Sequence, residues 1–270
     1  MGSTANGGMN PMAAGALSGL SQVLAEQPFD TIKVRMQSRA LSYDAFTGPI
    51  DLVRTTFRRE GIRAFFQGVT PRLATYSAVK ASLFTLFDKF YRATDSTLLA
   101  GGLAGGINTV FSCPQDVLKS LLQVQVASGP GNYRGPIATA RDLYASHGGR
   151  GFYRGWGALV ARDVPGYALL YTVFVRGRAS PALEVVPTWC IGGASGLAFY
   201  LSMLPVDRIK TVMMTQPLRN PTFSGPAEAW ASIIGSHGVL GLYRGCAPTL
   251  ARTFAGQGVA LSVYEYLSRS

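Results

Sequence analysis

The sequence predicts an all-α membrane protein, with six spanning helices in three repeats and short helices lying at the membrane surface between them. Three observations predict it. One signature occurs three times, as Pro28-Phe29-Asp30-Thr31-Ile32-Lys33, Pro114-Gln115-Asp116-Val117-Leu118-Lys119 and Pro205-Val206-Asp207-Arg208-Ile209-Lys210. A second block follows each copy at the same distance to within one residue: Phe65-Phe66-Gln67-Gly68, Phe152-Tyr153-Arg154-Gly155 and Leu242-Tyr243-Arg244-Gly245. Two motifs held in step three times mark internal repetition, with repeats at 9–93, 94–182 and 183–270. Composition is the third observation. Of 270 residues, 14% are charged, 47% are hydrophobic and 32 are Gly, which suits helices packed in lipid, where small residues let backbones approach.

Each repeat contributes two spans: 9–37 and 70–91, then 97–125 and 156–177, then 187–215 and 247–267. Each is long enough for a bilayer core, which needs about 20 largely apolar residues. The first span of each pair is the longer and carries the signature Pro, which removes a hydrogen bond and kinks a helix. In the first connection Ile50, Val53 and Phe57 share one face while Arg54 and Arg58 share another. That pattern predicts a helix lying on the membrane surface, with counterparts at 136–146 and 226–236. Gly15/Gly19, Gly101/Gly105, Gly102/Gly106 and Gly192/Gly196 recur at four-residue spacing and predict close helix crossings.

The net charge of +11 points to anionic lipid or anionic solutes. No basic stretch is interleaved with aromatics, so a nucleic-acid platform is not expected. Cys113, Cys190 and Cys246 lie far apart without metal-ligand spacing and read as small apolar helix residues. His147 and His237 take the place that Glu60 holds in the first repeat and read as surface residues. With no nucleophile–base set and no phosphate-cradling loop, neither an enzyme nor a cofactor or metal is expected. Residues 1–10 show no secretory signal pattern.

Charges inside a membrane are costly unless they face water or one another. One Asp-x-x-Lys per repeat therefore predicts a ring, Asp30 with Lys119, Asp116 with Lys210 and Asp207 with Lys33, closing one end of a central cavity. Gln37 and Gln123, one turn beyond their Lys, are expected to brace the pairs; the third repeat has Met214 there.

On these motifs the chain resembles the mitochondrial carrier family. It matches the Pro-x-Asp/Glu-x-x-Lys/Arg signature three times and the aromatic-basic-Gly signature three times, with Gln67 replacing the base once. The resemblance covers almost the whole chain. It implies a single transmembrane domain over 1–270, a six-helix barrel with threefold pseudosymmetry, and the ring acting as a matrix gate. It also implies a monomer of the mitochondrial inner membrane with both termini toward the intermembrane space. Gly61, Gly148 and Gly238, read as starting the surface helices, and Gly68, Gly155 and Gly245 resemble positions that bind cardiolipin, a use of helix N-termini that electrostatics favours. The family's outer gate is degraded here: Asp88, Arg178 and Glu265 remain of it, and Asp88 is expected to face Arg178.

The resemblance implies substrate contacts at matching depth on the second spans, at Thr75, Arg162 and Arg252, each seven residues beyond its Gly. Arg162-Asp163-Val164-Pro165 resembles the pair found in carnitine/acylcarnitine and amino-acid carriers. Arg can fork a carboxylate while Asp takes a cationic nitrogen. Lys80 is expected in the cavity, offset by Glu26, with Tyr76 as a candidate lining residue. The set Lys80, Arg162 and Arg252 against Glu26 and Asp163 leaves one net positive charge. This predicts alternating-access exchange of a small carboxylate-bearing metabolite of amino acid or acylcarnitine type. The rivals are a di/tricarboxylate or keto-acid carrier and, in another class, a proton or anion leak.

Overall fold

The computed structural model describes residues 11–38, 48–125, 135–186, 188–217 and 221–269. Among them are nine α-helices. Six are long: α1 (Pro11–Gln37), α3 (Val69–Thr94), α4 (Thr97–Val124), α6 (Trp156–Ala179), α7 (Thr188–Thr215) and α9 (Cys246–Arg269). Three are short: α2 (Pro49–Glu60), α5 (Pro136–His147) and α8 (Pro226–His237). The long helices run from 24 to 28 residues, so at 1.5 Å per residue they span about 36–42 Å, enough for a hydrocarbon core. By hydropathy alone, among the described residues, only segments within 136–179 and 190–215 are apolar enough to cross a membrane.

The long helices close into a ring. α1 packs along α9, α3 along α4, α4 along α6 and α6 along α7, with smaller contacts joining α1 to α3 and α7 to α9. The Pro-bearing helices α1, α4 and α7 also touch one another, which converges the ring at one end.

Helix α4 shows how the sequence turns this barrel inside out relative to a soluble protein. Leu99, Leu103, Ile107 and Phe111 recur at helical spacing and are exposed, while Asn108, Ser112, Ser120 and Gln123 are buried. Apolar residues face where lipid lies and polar residues face the axis. Gly101 and Gly105 let α4 approach α6: a Cβ there would stand 2.6 Å from Tyr167 O and 2.7 Å from Asp163 O. The expected crossing in the third repeat is not formed the same way, since a Cβ on Gly196 would meet no described atom within 4 Å.

The surface helices begin with Pro49, Pro136 and Pro226, a residue suited to the first helical position. At the α8 start Ser224 donates its hydroxyl and backbone N–H to Glu228, and these bonds hold that carboxyl below its usual range. Each surface helix anchors through a large, fully buried apolar side chain: Leu52, Leu143 or Ile233. Leu52 packs with Ile32, Met36 and Phe65; Leu143 with Val117, Leu121 and Met214; Ile233 with Ile209, Val212 and Leu242. Each such burial contributes about 1.5–3 kcal/mol.

Gly61, Gly148 and Gly238 end the surface helices rather than start them. Their N–H groups donate to Phe57 O, Tyr144 O and Ile234 O, so those amides are already used as C-caps. Gly68 and Gly155 sit at the N-caps of α3 and α6, and Gly245 directly precedes α9; all three have positive φ, at 78°, 73° and 95°. Each also packs on the residue one turn beyond the signature Lys of a neighbouring repeat. A Cβ on Gly68 would lie 3.3 Å from Gln123 Cγ, on Gly155 3.2 Å from Met214 Cγ, and on Gly245 3.3 Å from Gln37 Cγ. Conformation and close approach together exclude a side chain there.

A buried ion pair ties the first repeat together. Arg35 is fully buried, with Nη1 2.5 Å from Glu60 Oε1 and Nη2 2.9 Å from Glu60 Oε2. It also donates to Gln123 O, Thr56 Oγ1 and Gln67 Oε1. This explains why the first repeat departs from the basic residue of the second block. Gln67 accepts from a guanidinium that a base would repel, whereas Arg154 in the second repeat reaches Pro217 O at 2.9 Å.

Candidate functional site

The signature charges project from α1, α4 and α7 where these helices converge. Asp30 Oδ2 is 2.6 Å from Lys119 Nζ, Asp116 Oδ2 is 2.6 Å from Lys210 Nζ, and Asp207 Oδ2 is 2.7 Å from Lys33 Nζ. Each pair joins two repeats, so three pairs link the three repeats cyclically. All six side chains line one cavity of about 170 Å³.

The glutamines expected to brace the pairs act on the same seams through threonines instead. The Thr211 hydroxyl lies 3.0 Å from Gln37 Oε1, beside the Lys33–Asp207 pair. Gln123 Nε2 donates to Thr31 Oγ1 at 3.4 Å, beside Asp30–Lys119. At the third seam Met214 is buried among Cys113, Val117, Leu121, Leu143 and Leu159, so the Asp116–Lys210 pair is flanked by apolar packing.

Arg162, on α6, meets two carboxylates. Its Nε and Nη2 are each 2.6 Å from Asp163 Oδ1, and its Nη1 is 2.8 Å from Asp207 Oδ1. It therefore joins the expected pocket pair directly to the ring. Asp163 is buried, and the Arg162 guanidinium lies 5.9 Å from the Phe199 ring centroid. Arg252, on α9, reaches Glu26 Oε2 at 3.3 Å and Asp30 Oδ1 at 3.4 Å, and stands 4.5 Å over the Tyr200 ring. Such stacking adds to the hold on a guanidinium.

The contacts on α1 and α3 differ in part from those expected. Glu26 is held by two arginines: Arg72 Nη2 is 2.5 Å from Glu26 Oε2, Arg252 approaches the same oxygen, and Gln22 donates to Oε1 at 2.9 Å. The side chain of Lys80 lies outside the described residues. Thr75 turns toward α4, with its hydroxyl 2.8 Å from Pro71 O and 2.5 Å from Gln115 Oε1; on α3 the cavity is lined by Arg72, Tyr76 and Val79. Arg72 was not expected. It reaches Asp30 Oδ2 at 2.7 Å as well as Glu26, so one residue outside the repeated motifs grips both carboxylates of α1. The available signal was a lone guanidinium one turn before Tyr76 in an apolar span.

At the far ends of the second helices the expected outer pair is not formed. Asp88 pairs with Arg92 of its own helix at 2.9 Å, both exposed, instead of facing Arg178. A solvated pair one helical turn apart contributes little. The side chain of Glu265 lies outside the described residues. At the converging end the three ion pairs seal the cavity.

A closed ring of six long helices around a charged axial cavity defines a membrane solute carrier. The profile of the mitochondrial carrier protein family matches residues 6–97, 94–177 and 181–270, and the chain belongs to that family. It is 31% identical to the mitochondrial carnitine/acylcarnitine carrier-like protein of Arabidopsis thaliana, over 94% of this chain and 95% of that protein. It is 28% identical to mitochondrial ornithine transporter 1 of Mus musculus, over 94% and 92%. It is 31% identical to the mitochondrial basic amino acids transporter of Bos taurus, over 89% and 85%.

Proposed function

We propose that this carrier exchanges a small carboxylate-bearing zwitterion, of amino acid or carnitine type, across the mitochondrial inner membrane. The observation that carries the proposal is the Arg162–Asp163 pair, which offers a fork for a carboxylate and an anion for a cationic nitrogen beside the ring. The names of the relatives support the same class: carnitine/acylcarnitine, ornithine and basic amino acids.

Coupling follows from shared partners. Asp207 is held by Lys33 and Arg162, and Asp30 by Lys119, Arg72 and Arg252. A substrate carboxylate arriving at the arginines competes with these aspartates. Ring carboxylates that lose an arginine are held less firmly, so the inner end opens more readily when substrate is bound. A ligand shifts such an equilibrium only through its differential affinity for the two states, and this competition supplies one. The site lies between repeats, as alternating access requires. Both termini face the intermembrane space in this proposal, so the ring lies on the matrix side. The carrier acts as a monomer, with cardiolipin at the starts of α3, α6 and α9, around Gly68, Gly155 and Gly245.

Proteoliposomes holding the purified protein test the exchange. Uptake of labelled carnitine or neutral amino acid is expected to need the same class of solute inside. Uptake confined to dicarboxylates would replace the zwitterion with the rival substrate class. Ion conductance without exchange would replace the carrier with a leak.

A further inference from the structure

We infer that Arg72 sets the charge class of the substrate, excluding solutes whose far end is a cation, such as dibasic amino acids. The inference rests on the zwitterion proposal above and narrows it.

A solute with a second cationic nitrogen needs a carboxylate to receive it. Asp163 serves the first nitrogen. On the opposite wall the available carboxylates are Glu26 and Asp30, both on α1 and both buried. Arg72 occupies both, at 2.5 Å and 2.7 Å. The remaining partners are weaker or already committed: Arg252 stands at 3.3 Å and 3.4 Å from them, and Lys119 holds Asp30 at 2.6 Å. Arg72 is thus the cation whose removal frees Glu26 most completely. With Arg72 in place, Glu26 and Asp30 face Arg72, Arg252 and Lys119, an excess of one positive charge. An incoming ammonium meets like charge there, and rejecting the wrong partner by like charge is an effective source of specificity.

Arg72 has no counterpart in the other repeats, where Leu159 and Thr249 stand four residues beyond the equivalent Gly. Its guanidinium lies 5.7 Å from the Tyr76 ring centroid, so the group is held in place from the cavity side as well. The α1 wall is left to bind neutral or anionic substrate ends, such as an apolar side chain, an acyl group or a second carboxylate.

The test compares carnitine and ornithine as external substrates in proteoliposomes, for the wild type, Arg72→Gln and Arg72→Lys. The wild type is expected to prefer carnitine over ornithine by about tenfold or more, the ratio that 1.4 kcal/mol supplies. Arg72→Gln is expected to reduce that ratio at least tenfold, chiefly by gain of ornithine, while Arg72→Lys keeps the wild-type preference. A wild type that exchanges both equally overturns the inference without needing any variant to fold. A folded Arg72→Gln that exchanges carnitine with an unchanged ratio also overturns it and leaves the zwitterion proposal standing. If neither solute is exchanged by any of the three proteins, the inference falls together with that proposal.

Discussion

Replacing Arg162 with Leu is expected to lower exchange by about 100-fold or more. The estimate follows from the fork: a guanidinium gives a carboxylate two charge-assisted hydrogen bonds, each about 1.5–3 kcal/mol. Losing both removes at least about 3 kcal/mol, and each 1.4 kcal/mol is tenfold. The loss is compounded because Arg162 also bridges Asp163 to the ring at Asp207. Arg162→Lys keeps the charge but not the planar fork, and is expected to retain about a tenth of the activity. Initial rates in proteoliposomes, with thermal unfolding in detergent run alongside, separate lost binding from lost folding. A fully active Arg162→Leu would remove this residue from the substrate site.

The largest effect on stability is expected at Arg35 and Glu60. Both side chains are almost wholly buried, and Arg35 grips Glu60 through two nitrogens. Arg35→Ala leaves a buried carboxylate without its counterion, which costs about 3–5 kcal/mol. The other repeats supply a natural repair. They carry Leu121 and Val212 in place of Arg35, His147 and His237 in place of Glu60, and Arg154 and Arg244 in place of Gln67. The triple variant Arg35→Leu, Glu60→His, Gln67→Arg copies the second repeat, and is expected to recover at least about half of the loss, since it removes both charges of the pair together and leaves no buried carboxylate without a counterion. Thermal unfolding of the single and triple variants checks this. A triple variant no more stable than Arg35→Ala would show that the pair is not an exchangeable unit.

The contrast between these residues shows what was legible in the sequence. The partners in the ring could be read because Asp and Lys recur at one register in all three repeats, leaving few ways to pair them. The spans could be read from that same register, to within a few residues, although among the described residues hydropathy alone picks out only two segments. Arg35 and Arg72 were not legible, because each occurs once and its partners are distant in positions no local pattern specifies: Glu60 lies 25 residues from Arg35, and Glu26 and Asp30 lie 46 and 42 residues from Arg72. Gly61, Gly148 and Gly238 were misplaced for a different reason: Gly permits either a helix start or a helix end, and only the bonded amides distinguish them.

The central claim is that three ion pairs between repeats seal one end of the cavity. Charge exchange at Asp116 and Lys210 tests it most directly, because among the described ion pairs these two partner only each other. Asp116→Lys and Lys210→Asp place like charges in contact, and each is expected to lose most exchange activity and thermal stability. The double variant restores opposite charges in swapped positions and is expected to regain much of both. A double variant whose losses are simply the sum of the two single losses would show that the residues do not interact, and would contradict the ring.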